Sequence, residues 1–82
     1  MTVEWTPRAL KELARLDKTG QTRIRDAVES LAAGSLADVK RLRGIDPPEF
    51  RLRVGNWRVR FRIDPTTGTI SILHVLKRDE AY

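Results

Sequence analysis

The stretch Phe50-Arg51-Leu52-Arg53-Val54-Gly55-Asn56-Trp57-Arg58-Val59-Arg60-Phe61-Arg62-Ile63 decides the fold. Both arms alternate strictly between apolar and basic residues, the period of a half-buried strand. Gly55-Asn56 lies between them, and both residue types tolerate positive φ, so the stretch reads as a hairpin with a two-residue turn. Such a turn sets Val54 opposite Trp57, Arg53 opposite Arg58 and Arg51 opposite Arg60. Phe50, Leu52, Val54, Trp57, Val59, Phe61 and Ile63 then share one face, and the five arginines share the other. Like charges directly opposite one another cost stability, roughly 0.2–1 kcal/mol per pair. The alternative is the ordinary charged outer face of a sheet, which suffices for a single arginine. Two opposed arginine pairs without an intervening acid call instead for an anion, and phosphate is the first candidate. The planar guanidinium donates two parallel hydrogen bonds to it.

Outward from the hairpin, the chain supplies two helices and further strands. Thr2-Val3-Glu4-Trp5 reads as a short first strand. Thr6-Pro7 opens a helix, because threonine caps and proline suits the first helical position. Leu10, Leu13, Ala14 and Leu16 form its apolar side, with Arg8, Lys11, Glu12 and Arg15 outward. Thr19 is the expected cap of a second helix carrying Ile24, Ala27, Val28, Leu31 and Ala32 at helical spacing, and Gly34 suits its left-handed stop. Residues 39–44 are basic and partly extended, and Asp46-Pro47-Pro48-Glu49 is a turn leading into the hairpin. Asp64 to Gly68 is a second turn. Thr69 to Leu76 is apolar on both faces and reads as a last, central strand. The expected fold class is α+β: a two-helix hairpin packed on a small twisted antiparallel sheet in the order β-α-α-β-β-β, as one domain over residues 1–82.

Forty percent hydrophobic and 33% charged residues fit a folded domain, not a disordered tail. The net charge is +5, and its distribution speaks of partners: nucleic acid, an acidic protein or an anionic surface. Residues 40–78 hold ten Lys/Arg against Asp46, Glu49 and Asp64, whereas residues 1–39 hold six of each sign. The absence of cysteine excludes disulfides and thiolate chemistry. A single histidine argues against a structural zinc site, so no metal is expected. No apolar run approaches a membrane span, and the N-terminus lacks the pattern of a signal peptide, so a cytoplasmic location is expected.

Lys40, Arg41 and Arg43 extend the basic surface or form a solvated loop. Arg60 and Arg62 lie farther along the arginine face, with plain surface as the alternative. Lys77, Arg78 and Tyr82 follow the last strand, where composition alone favours a solvated tail. His74, in register with Ile70 and Ile72, reads as a core histidine ahead of a general base. Trp5 and Trp57 read as packing residues.

The chain resembles the RelE/ParE family of bacterial type II toxins nearly end to end. The resemblance is carried by Trp5-Thr6-Pro7-Arg8-Ala9-Leu10-Lys11-Glu12-Leu13 with Leu16-Asp17, and by Val39-Lys40-Arg41-Leu42-Arg43-Gly44. Phe50 to Val59, Ile63-Asp64 and Lys77-Arg78-Asp79-Glu80-Ala81-Tyr82 complete it. It implies a ribosome-dependent mRNA endonuclease working in the ribosomal A site without metal or cofactor, the ribose 2′-hydroxyl attacking the adjacent phosphate. It implies a RelB-like antitoxin as partner. Carried over residue by residue, it assigns catalytic roles to Arg51, Arg53, Arg58, Arg78 and Tyr82, and contacts to RNA or ribosome to Lys40, Arg41, Arg43, Arg60 and Lys77. In the best-known RelE toxins the two positions before the turn are lysines. Arginine effectively cannot lose its proton, so Arg51 and Arg53 serve as cations, leaving Tyr82 or a ribosomal group as base. Two alternatives remain: a ParE-like poison of DNA gyrase, and an inactive nucleic-acid-binding module.

Overall fold

Thr6 and Pro7 begin the first helix as their chemistry demands. In the computed structural model, which describes residues 1–80, Thr6 is extended and its Oγ1 accepts a hydrogen bond from the Ala9 N–H at 3.2 Å. The elements run β1 (Thr2–Trp5), α1 (Pro7–Ala14), α2 (Lys18–Ala32), β2 (Val39–Arg41), β3 (Phe50–Val54), β4 (Trp57–Asp64) and β5 (Thr69–Lys77). The second helix starts two residues earlier than a Thr19 cap requires, at Lys18. Asp17 is the cap, its Oδ1 accepting from the Gly20 N–H at 2.8 Å. A carboxylate ranks above threonine at that position.

The strands form one sheet in the order β1-β5-β4-β3-β2. The architecture is α+β, two helices on a small sheet, with two differences from the expected pattern. Residues Val39–Arg41 pair with β3 as a fifth strand, and β1 runs parallel to β5. The parallel pair follows from connectivity: a long crossover through both helices and three strands separates β1 from β5, and only adjacent antiparallel strands can be joined by tight turns. Every remaining pair is antiparallel. β5 is internal, as its two-sided apolar composition predicts, and β4 takes the middle of the sheet.

The hairpin register is the expected one, with Arg51 opposite Arg60, Arg53 opposite Arg58 and Val54 opposite Trp57. The core forms on the apolar face beneath the helices. Ala9, Leu13 and Leu16 of the first helical segment meet Ile24, Val28 and Leu31 of α2, over Leu52, Val54, Val59, Phe61, Ile70, Ile72 and Val75 of the sheet. Leu10 is not part of this stripe: it is 48% exposed, because the buried side of α1 is set by Ala9, Leu13 and Leu16, spaced four and three residues apart. Ala14 is likewise exposed.

A bulge in β5 corrects the reading of His74. Arg60 pairs with His74 but Phe61 with Ile72, so Leu73 is the extra residue. The slip takes His74 out of phase with Ile70 and Ile72 and sends Val75 to the core in its place. β1 ends at Trp5, opposite Ile72, leaving the rest of that edge of β5 to α1. The Val75 N–H donates to Glu12 Oε1 at 3.0 Å, and the Thr6 N–H donates to the Ile72 carbonyl at 3.1 Å. His74 Nδ1 lies 3.4 Å from the same Glu12 oxygen. Glu12, expected to point outward, thus covers an open sheet edge. Among the described residues, no helix is long and apolar enough to cross a membrane.

Candidate nucleic-acid interface

Strand alternation places the arginines on the sheet face that the helices leave uncovered. Lys40 pairs with Arg51, and Arg51 with Arg60, so three cations form a row across β2, β3 and β4. At ordinary strand spacing that row is about 10 Å wide. One step toward the hairpin turn, Arg53 and Arg58 form a second row. One step away, Glu49 extends the alternation of Arg51 and Arg53 backwards and meets Arg62.

The guanidiniums differ in what holds them. Arg58 is 8% exposed, and its Nη1 donates to the carbonyls of Gly55 and Trp57, both at 2.8 Å. The turn itself therefore fixes this guanidinium. Gly55 takes φ +59° there, and a Cβ on it would come within 2.9 Å of Arg23 Nη2, so α2 brings a further cation to the helix side of the turn. Arg78 follows β5 directly, and its N–H donates to the Asn56 carbonyl at 2.9 Å. Arg23, Arg53, Arg58 and Arg78 thus gather around one hairpin end, contributed by α2, β3, β4 and the segment after β5.

Arg53 pairs with Asp38 at 2.7 Å, both side chains about half exposed at 56% and 47%. Such an exposed pair is worth about 0–1 kcal/mol and yields readily to a stronger anion. Arg60 and Arg62 are bound differently, to the two oxygens of Glu49 at 2.8 and 3.2 Å. Glu49 is buried at 7% exposure. The Arg60 contact is close but too bent for a hydrogen bond, which leaves Oε1 without one. Among the described residues no carboxylate forms an ion pair with Arg51 or Arg58.

The expected site residues therefore divide. Arg51, Arg53, Arg58 and Lys40 share the open face, and Arg78 joins them at the hairpin end. Arg60 shares the face but is engaged by Glu49. Arg41 pairs with Phe50 and so projects to the opposite side, and Arg43 lies beyond it in the loop. With Leu42, Gly44, Ile45 and Asp46 these two line a separate 610 Å³ cleft. Lys77 pairs with Trp57, on the apolar side of the hairpin. Tyr82 lies outside the described residues.

The sequence reading missed Glu49, Asp38 and Arg23. Glu49 was detectable, since the alternation continues one step before Phe50 and puts a carboxylate among the arginines. Asp38 and Arg23 carried no such signal, because their places depend on how β2 and α2 are brought to the hairpin.

The family model for the ParE toxin of the parDE type II toxin–antitoxin system matches residues 3–82. No curated protein matches the chain significantly. Among solved structures, a chain of the archaeal RelE–RelB complex from Pyrococcus horikoshii OT3 is 25% identical at TM-score 0.82, covering 98% of this chain and 97% of that one. A chain of the RelBE2 toxin–antitoxin complex from Mycobacterium tuberculosis is 34% identical at TM-score 0.66, covering 94% and 96%. A chain of the RelB–RelE complex from Methanococcus jannaschii is 26% identical at TM-score 0.75, covering 95% and 93%. With the sheet order, the arginine hairpin and a match over nearly the whole length in agreement, the chain belongs to the RelE/ParE family of type II toxin–antitoxin toxins.

Proposed function

We propose that this toxin acts as RelE does, as a metal-independent endoribonuclease that cuts mRNA in the ribosomal A site. The observation that carries the reading is the group Arg53, Arg58 and Arg78 around the hairpin end, with Arg51 in the next row of the same face and Arg58 held by two turn carbonyls. The 2′-hydroxyl of one nucleotide attacks the adjacent phosphorus as its proton passes to a base. The P–O5′ bond breaks, and the 5′ oxygen leaves with a proton. Negative charge builds on the pentacoordinate phosphate between these steps, and fixed guanidiniums stabilise it without reorganising. Arg58 and Arg78 take that role, while Arg51, Arg53 and Lys40 hold the flanking backbone. Tyr82 or a ribosomal group takes the proton.

A second reading is a ParE-like poison of DNA gyrase, favoured by the name of the matching family model. The two are separated by expressing the toxin and mapping mRNA 5′ ends within coding regions, beside an assay of gyrase-dependent DNA cleavage. Codon-phased cuts are expected. DNA breaks without such cuts would replace the nuclease by the gyrase poison.

The relatives were crystallised with RelB-type antitoxins, and a RelB-like antitoxin is the partner proposed here, covering the arginine face. Cations without partners favour an acidic or helical segment there. Binding is expected to weaken as salt rises, read by titration calorimetry across a salt series. An affinity independent of salt would place the antitoxin elsewhere.

A further inference from the structure

The arginine face is not uniformly open, and the reason is one carboxylate. Glu49 enters the sheet directly after Pro47-Pro48, where proline restricts the backbone to extended conformations. Its carbonyl accepts from the Leu42 N–H at 2.9 Å, which ties its main chain to the segment following β2. The side chain is then directed by strand alternation onto the arginine face. There each oxygen meets a different guanidinium, Arg60 at 2.8 Å and Arg62 at 3.2 Å. Among the described residues the Nε atoms of Arg51, Arg60 and Arg62 are all buried without partners, so what separates Arg60 and Arg62 from Arg51 is the carboxylate that holds them.

We propose that Glu49 sets the footprint of the anion-binding face: its carboxylate occupies the place a phosphate would take between Arg60 and Arg62, and so confines nucleic acid to the half carrying Lys40, Arg51, Arg53 and Arg58. This rests on the nucleic-acid reading above and adds the boundary of the site. A phosphate approaching Arg60 competes with an anion tethered in the same fold, whose effective concentration no free ligand matches. Displacing it would also leave a buried charge uncompensated. The Arg53–Asp38 pair is exposed and offers no such resistance. Arg60 thus leaves the set of RNA-contacting residues that the family resemblance suggests, and Glu49 acts as a positioning residue for the face.

The test is binding of an oligouridylate to the purified toxin over a series of salt concentrations, with circular dichroism to confirm folding. Each lost phosphate contact on a single strand lowers the slope of log K against log salt by about 0.7. Arg51→Gln is expected to lower it by that amount, while Arg60→Gln leaves it unchanged. Glu49→Gln, which removes the charge with little change of shape, is expected to steepen it by about 0.7–1.4, as one or two guanidiniums become available. Adding Arg60→Gln to Glu49→Gln should remove part of that gain. A folded Glu49→Gln protein with the wild-type slope, beside a responsive Arg51→Gln, overturns the role of Glu49 alone. An Arg60→Gln loss equal to that of Arg51→Gln does the same, and this comparison decides the matter even if Glu49→Gln fails to fold. A flat response to Arg51→Gln removes the nucleic-acid reading itself.

Discussion

Arg58→Ala is expected to lower mRNA cleavage by about 10²–10³-fold, the loss typical when one preorganised donor to the transition state is removed. The sequence, which places Arg58 on a polar face, suggests that the fold would be indifferent to this change. The structure says otherwise. Arg58 is nearly buried and its Nη1 bridges the Gly55 and Trp57 carbonyls. Losing two charge-assisted bonds costs about 1–3 kcal/mol, with the lower end apt because Gly55 lies in an exposed turn. Relief of repulsion with Arg53 offsets part of it. Rates must therefore be read as single turnovers on programmed ribosomes, normalised to the folded fraction from circular dichroism. Arg58→Lys separates charge from geometry: an ammonium cannot reproduce the planar fork, so it should recover only part of the rate. Arg78→Ala is the cleaner companion, since Arg78 is exposed and anchored through its main-chain N–H. It should lose cleavage with the fold untouched. A folded Arg58→Ala protein that cuts at the wild-type rate would remove the hairpin cluster from the active site.

The hairpin was legible because its information is local. Alternation fixes the faces, Gly55-Asn56 fixes the turn, and together they fix each opposed pair. The α1 start was legible for the same reason, through Thr6 and Pro7. What sequence alone did not yield depends on contacts distant along the chain. The parallel pairing of β1 with β5 joins residues nearly the whole chain apart. The β5 bulge has no sequence mark, because Leu73, His74 and Val75 fit either phase until Phe61 and Val59 choose their partners. The site shows the same division. The arginines were countable, but the anions that divide them were not all visible. Asp38 reaches Arg53 from before β2 with φ 65°, a placement only the folded sheet creates. Glu49 reads in the sequence as the end of a turn, because Pro47-Pro48 interrupts the alternation just before it.

Phe61→Ala should be the most damaging change to stability, and through stability to the site. Phe61 is fully buried, opposite Ile72 beside the bulge, and its ring stacks on Phe50 with centroids 5.6 Å apart and planes 21° from parallel. Removing it loses the transfer energy of the ring and leaves a cavity that the surrounding strands can only partly close, about 3–5 kcal/mol in all. A domain of 82 residues has a total stability of about 4–12 kcal/mol. The variant should therefore melt at least ~12 °C lower or fail to fold, as read by thermal and urea denaturation. Leu10→Ala is the control. Both residues belong to apolar patterns in the sequence, yet Leu10 is 48% exposed, and its removal should shift stability by no more than about 0.5 kcal/mol. Equal losses from the two changes would mean that α1 sits on the sheet in a different rotation from the one described. The consequence for the site follows from strand order: Phe61 lies between Arg60 and Arg62 on the opposite face, so its ring anchors the section of β4 that holds both guanidiniums against Glu49. A Phe61→Leu protein keeps most of that anchor and should retain the Arg60–Glu49 pair, whereas residual folded Phe61→Ala should bind RNA with a steeper salt dependence as the pair loosens.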